Sequence, residues 1–207
     1  MIKPGLYLII HLDWHIRDSR SPVELCRKAL RGGCSAVQLR FKKAPDAAVV
    51  RAARDLRRVT AGANVPLIIN DRPDIAAVCG ADGVHVGQED LPPEVVAGHW
   101  DGLIVGLSTH DLKQVRRAGR QAADYIGFGP VFGTKSKKIL VPATGIAFLE
   151  KAVAASRLPL VAIGGINEKN CGRVAAAGAM SAAVLSCIYR SANPGAAAKA
   201  IHETFAR

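Results

Sequence analysis

The stretch Gly83-Val84-His85-Val86-Gly87-Gln88-Glu89-Asp90 is a short apolar run that breaks at glycine and empties at once into polar and acidic residues. Earlier in the chain Leu67-Ile68-Ile69-Asn70-Asp71 does the same, its β-branched run stopping at Asn-Asp. Both read as buried parallel strands whose C-terminal ends deliver polar side chains. Neighbouring parallel strands lie about 5 Å apart, close enough for Asp71 and Asp90 to share one hard cation. One or two carboxylates, completed by water and substrate phosphate, are the ligands Mg²⁺ takes.

Working outward, the same unit recurs along the whole chain. Strands are predicted over 6–12, 35–40, 66–71, 83–87, 103–108, 125–129, 158–164 and 182–186. Helices are predicted over 22–31, 46–60, 73–79, near Pro93, and over 112–122, 146–155, 168–177 and 195–205, with a polar loop at 13–21 and a long one running to Thr144. Regular β-α alternation predicts parallel strands joined by right-handed crossovers. Eight units specify an α/β fold of the (β/α)₈ TIM-barrel type, one compact domain over 1–207. A doubly wound open sheet is the structural rival, and the absence of a dinucleotide fingerprint in the first βα turn favours the barrel.

Composition agrees with one large core, since 49% of the 207 residues are hydrophobic. No apolar run approaches the roughly 18 residues of a membrane span. Met1-Ile2-Lys3-Pro4-Gly5 leads straight into a strand without a signal-peptide pattern, so a cytoplasmic protein is expected. The five cysteines (26, 34, 79, 171 and 187) form no Cys-x-x-Cys pair and read as small buried hydrophobes. The net charge of +11 is spread over helix-like segments without aromatic interleaving. That distribution argues against a nucleic-acid partner and for attraction of small anions. A homo-oligomer is left open.

In a barrel, function sits where strands end. Gln38, Arg40 and Lys42 are two apart, so in an extended strand they share one face, beside the carboxylates of the next two strands. Buried Arg and Lys require anionic partners. One reading is a salt-bridge plug across the mouth. The other is a diphosphate cradle, with Mg²⁺ on Asp71 and Asp90 and the two cations on phosphate oxygens. Across the rim, Gly164-Gly165-Ile166-Asn167 follows the seventh strand, where barrels bind phosphate through backbone N–H groups. Thr134, Ser136 and Lys137 lie on the one long βα loop and add hydroxyl and ammonium donors. Two facing anion sites suggest two phosphorylated substrates joined between them, with the Mg²⁺-bound diphosphate leaving. The chain carries no Gly-x-Ser-x-Gly elbow, His-Glu-x-x-His or P-loop.

The segments Gln38-Leu39-Arg40-Phe41-Lys42, Asn70-Asp71-Arg72-Pro73-Asp74, Gly83 to Asp90, Gly129-Pro130-Val131-Phe132 and Ile163-Gly164-Gly165-Ile166 closely resemble the thiamine-phosphate synthase family, in order and over nearly the whole chain. The resemblance implies a (β/α)₈ barrel coupling a hydroxymethylpyrimidine diphosphate to a thiazole phosphate, through loss of diphosphate and capture of a pyrimidine-methyl cation by the thiazole nitrogen. By resemblance, Asp71 and Asp90 hold Mg²⁺, and Gln38, Arg40, Lys42, Asn70, Ser108 and Lys137 contact the pyrimidine diphosphate. Arg40, Lys42, Ser108 and Lys137 are the catalytic group among them. His85 is placed near the pyrimidine as a contact and not a base, and Thr134, Ser136, Gly165, Leu185 and Ser186 around the thiazole phosphate.

Phe41 stands where the family often has an acid, and Ser136 where it more usually has threonine. The run Trp14-His15-Ile16-Arg17 and the run Ala179-Met180-Ser181-Ala182 are less typical. Two rival functions remain: a thiazole tautomerase-like paralogue using His110, and a noncatalytic phosphate-ligand-binding barrel or basic scaffold.

Overall fold

A computed structural model describes residues 1–134 and 142–206. Eight strands, β1 (Gly5–His11), β2 (Ala36–Arg40), β3 (Leu67–Asn70), β4 (Gly83–Val86), β5 (Ile104–Thr109), β6 (Tyr125–Phe128), β7 (Leu160–Ile163) and β8 (Ser181–Val184), close on themselves in sequence order. All neighbouring pairs are parallel, including β1 with β8. The open-sheet rival is therefore excluded, and the chain is a TIM barrel.

Strand parity divides the core in two. Tyr7, Ile9, Ala36, Ile68, Tyr125, Val161 and Ala183 pack inside the barrel. The alternate residues, among them Leu6, Leu8, Ile10, Leu39, Leu67, Ile69, Val84 and Val86, pack against the surrounding helices. Both faces of each strand are covered, which is why the strands read as continuous apolar runs. Phe41, one residue past β2, packs with the outer shell, so the acid's absence there leaves the interior untouched.

The ring is formed by α2 (Pro22–Arg31), α3 (Asp46–Gly62), α4 (Pro73–Cys79), α5 (Pro93–His99), α6 (Leu112–Ala118), α7 (Ile146–Ala155), α8 (Cys171–Ala176) and α10 (Pro194–Phe205). Local chemistry sets several starts. Ser21 accepts from Glu24 N at 3.2 Å, Asp111 from Gln114 N at 2.8 Å and Asn193 from Ala196 N at 3.1 Å. Helix α8 starts later than sequence suggests, because Asn170 Oδ1 accepts from Asn167 N at 2.8 Å and holds 167–170 as a turn.

Two short helices occupy positions read as loop or strand end: α1 (Leu12–Arg17) inside 13–21, and α9 (Ser186–Tyr189) after β8. Segments this short are unstable alone and owe their form to packing. Here they pack on each other: the Tyr189 ring meets Trp14 at 5.4 Å and His15 at 4.9 Å, edge to face. Its hydroxyl donates to Asp18 Oδ2 at 2.6 Å. No local periodicity carries that information.

Gly83 faces inward at the start of β4, and a Cβ there would overlap the Ile104 carbonyl oxygen of β5 and lie 2.9 Å from Ile68 Cδ1. Backbone cannot yield as a side chain does. Gly83→Ala is expected to destabilise the barrel by about 1–3 kcal/mol or more, measured as a lowered denaturant midpoint; an unchanged midpoint would mean that the β4–β5 spacing is looser than this.

Candidate active site

The C-terminal strand ends open into one mouth. Its acidic corner is built from the β3 and β4 exits. Asp71 follows β3 with φ of 63°, in the left-handed region that a non-glycine residue enters at a cost. Arg72 N donates to Asn70 O at 2.9 Å across this three-residue turn, while Asp71 N donates to His85 O at 2.8 Å. The strained turn aims the carboxylate over β4. From the other side Asp90 folds back, its Oδ2 accepting from Gly87 N at 2.7 Å. Partial burial, and after it the neighbouring Asp71 carboxylate, pushes the Asp90 carboxyl above its ordinary value. Two facing carboxylates of this kind fit Mg²⁺, which needs only one or two protein oxygens. Among the described residues no group of three His, Cys, Asp or Glu gathers as a metal cage.

Lys42 joins this corner although β2 ends at Arg40. Asp13 fixes the loop by accepting from Lys42 N at 3.0 Å, Lys43 N at 3.2 Å and Ala44 N at 2.9 Å. Lys42 Nζ then reaches Asp71 Oδ2 at 2.6 Å with its side chain half exposed. An exposed ion pair contributes about 0–1 kcal/mol, so it is readily exchanged for a bound anion or cation. It is the nearest thing here to the salt-bridge plug, and it closes nothing.

Arg40 is held differently, with Nη1 donating to His11 Nε2 at 2.5 Å. The His11 ring stacks on Trp14, 5.2 Å between centroids and 6° from parallel. Burial, then the Arg40 charge, lowers the His11 pKa to about 4. A neutral imidazole therefore orients the guanidinium without spending its charge, which remains available to an incoming anion.

Deeper in the mouth a chain of hydrogen bonds crosses the barrel. Gln38 Nε2 donates to Tyr7 OH at 2.9 Å, Tyr7 OH meets Tyr125 OH at 2.8 Å, His85 Nδ1 lies 3.0 Å from Tyr125 OH, and His85 Nε2 lies 2.9 Å from Ser108 Oγ. The opposite wall comes from the β6 and β7 exits. Gly164 and Gly165 have φ of 105° and 63°. A Cβ at Gly164 would fall 2.5 Å from Pro130 Cβ, and one at Gly165 2.6 Å from Gly133 O. These glycines are required by close approach as well as by φ. His110 Nδ1 donates to Gly129 O at 2.7 Å on the same rim.

Gln38, Arg40, Asn70, His85, Ser108, Thr134, Gly165, Leu185 and Ser186 thus line one cavity. Lys42, Asp71 and Asp90 stand at its rim. Ser136 and Lys137 lie outside the described residues. Residues not singled out from sequence are Tyr7, His11, Asp13 and Tyr125. Tyr7 and His11 carried a parity signal, lying two residues before and two after Ile9 on the inward face of β1.

The model of the thiamine monophosphate synthase family matches residues 6–188. This chain belongs to that family. Thiamine-phosphate synthase of Anaeromyxobacter dehalogenans is 40% identical over 202 residues, covering 97% of this chain and 87% of that one. The enzyme of Chlorobium phaeobacteroides is 43% identical over 204 residues, covering 98% of each. Among solved structures, thiamine phosphate pyrophosphorylase from Pyrococcus furiosus superposes with a TM-score of 0.87 at 33% identity, covering 98% of this chain and 95% of that one. The family's thiamine-phosphate chemistry thus meets a mouth with an acidic corner, oriented cations and a glycine-lined wall.

His11 ties the site to acid stability. Unfolded, it binds a proton below about pH 6.5; folded, only below about 4. Between those values the unfolded state holds more protons, so stability falls as pH drops through this window. The buried His15, also lowered by burial, adds to the fall. His11→Gln, whose amide oxygen accepts from Arg40 without titrating, is expected to flatten the decline in denaturant midpoint across the window. Equal slopes in the two proteins would remove His11 from the account.

Proposed function

We propose that this mouth binds hydroxymethylpyrimidine diphosphate against β2–β5 and thiazole phosphate against β6–β8, and joins them with release of diphosphate to give thiamine phosphate, with Mg²⁺ held by Asp71 and Asp90. The chain is a transferase of the thiamine-phosphate synthase type. The observation that carries the site assignment is the convergence of Arg40, Lys42, Asp71 and Asp90 on one rim above the cavity, an arrangement suited to a diphosphate and a hard cation.

In the bond-breaking step the methylene C–O bond opens with its electron pair leaving on the diphosphate. The thiazole nitrogen lone pair then forms the new C–N bond. No general base is required. When bound, Mg²⁺ supplies neutralisation of the negative charge that grows on the leaving group. Lys42 exchanges Asp71 for a phosphate oxygen at little cost, because its ion pair is exposed. Arg40 arrives already oriented by His11. Asn70 and His85 bound the pyrimidine side, with Lys137 completing the diphosphate contacts from the long loop. Thr134, Gly165, Leu185 and Ser186, which line the same cavity, take the thiazole phosphate, with Ser136 as a further contact. Product and reactants are small molecules. Among the described residues no helix is long and apolar enough to cross a membrane.

Asp71→Asn and Asp90→Asn test the metal corner. Asn tolerates the left-handed backbone at 71, so the first change removes charge and spares the turn. Each is expected to lower diphosphate release at limiting Mg²⁺ by about tenfold or more, with an unchanged thermal midpoint. Full turnover in both variants would sink the metal assignment.

A further inference from the structure

The chain from Gln38 to Ser108 has a direction that follows from its chemistry. An amide nitrogen donates and never accepts. Gln38 Nε2 donates to Tyr7 OH, and since a buried hydroxyl proton left without an acceptor costs about 1–3 kcal/mol, the Tyr7 proton turns to Tyr125 oxygen, 2.8 Å away. By the same cost the Tyr125 proton turns to His85 Nδ1 at 3.0 Å. A neutral imidazole has one proton and one lone pair. With Nδ1 accepting, the proton sits on Nε2 and is given to Ser108 Oγ at 2.9 Å. The Ser108 oxygen now accepts from inside the barrel, and its own hydroxyl proton is left for the mouth, which it lines.

We propose that Gln38, Tyr7, Tyr125 and His85 form a polarised relay that holds His85 as its Nε2–H tautomer and Ser108 as a hydroxyl donor to the phosphorylated substrate, which makes Tyr7 and Tyr125 positioning residues for the reaction. The proposal rests on the reading of Ser108 as a substrate contact. Run the other way, the relay would turn the Ser108 proton inward and present oxygen lone pairs to an anion, which repels it.

The barrel interior is arranged around this chain. In register His85 pairs with Gly106, and Gly106 with Tyr125. The missing side chain at 106 is the gap through which histidine and tyrosine meet, since a Cβ there would overlap both Tyr125 Cζ and His85 Nδ1. One at Gly127 would fall 3.1 Å from His85 Cε1. Tyr7 and Tyr125 are 1% and 2% exposed, shut off from water that could reverse their hydroxyls. Burial pushes both phenols well above their ordinary value, so each keeps the proton it must pass.

The direct test is the tautomer of His85 in the whole protein, read from ¹⁵N shifts of histidine-labelled enzyme near neutral pH, with His85→Gln providing the assignment. The relay requires Nε2–H, and a predominant Nδ1–H form would overturn it. The link to substrate is tested by a cycle of Tyr125→Phe and Ser108→Ala. Tyr125→Phe alone is expected to lower kcat/KM about tenfold, and to cost nothing further once Ser108 is alanine. Additive losses would mean that Tyr125 acts by packing and would overturn the positioning role. A protein that made no thiamine phosphate would refute the functional reading, while the tautomer alone would still decide the polarity of the relay.

Discussion

An eight-stranded barrel has one narrow interior, and every strand sends alternate side chains into it. That constraint governs the rest of this structure. At the bottom and middle the space is filled by Tyr7, Ile9, Ala36, Ile68, Tyr125, Val161 and Ala183. Toward the top the inward positions turn polar, through Gln38, Arg40, Asn70, His85 and Ser108. Glycines at 106 and 127 are the necessary counterweight, because a Cβ at either would run into the His85 ring and at 106 into Tyr125 as well.

Electrostatics at the mouth follow a gradient of burial. Inside, polar groups satisfy one another, as burial demands: a hydroxyl or amide left unpaired there costs about 1–3 kcal/mol. One layer higher, Arg40 is steadied by an imidazole held neutral beside it. At the rim, Lys42 and Asp71 form an exposed pair of small net worth, next to Asp90. Strength of commitment decreases outward, so the groups that must rearrange around a ligand are those whose present contacts are cheapest to give up.

Much of this was legible in the chain. Continuous apolar runs ending in Asn-Asp, Gln-Glu-Asp or Gly-Gly gave all eight strands in order, and Pro22, Pro73 and Ile146 began helices where expected. Gln38, Arg40, Asn70 and Ser108 were found by assuming that strand ends face one mouth, and His85 through the family resemblance. The helices α1 and α9 were not legible, since Trp14, His15 and Tyr189 stabilise each other across about 175 residues of sequence. His11 and Asp13 were visible at the end of β1, but their tasks of orienting Arg40 and pinning the loop after β2 exist only between strands.

The sequence by itself determined the fold class, the family, and which residue types crowd the catalytic rim, because hydrophobic period and strand-end composition are local properties. The stretch from Gly83 to Asp90 announced a strand that ends in acids. Only the tertiary structure decided what that stretch touches. Asp90 folds back over Gly87 toward a carboxylate on another strand, and His85 lies between Tyr125 and Ser108. Register and barrel closure bring those partners within hydrogen-bonding distance, and neither is written in any one segment.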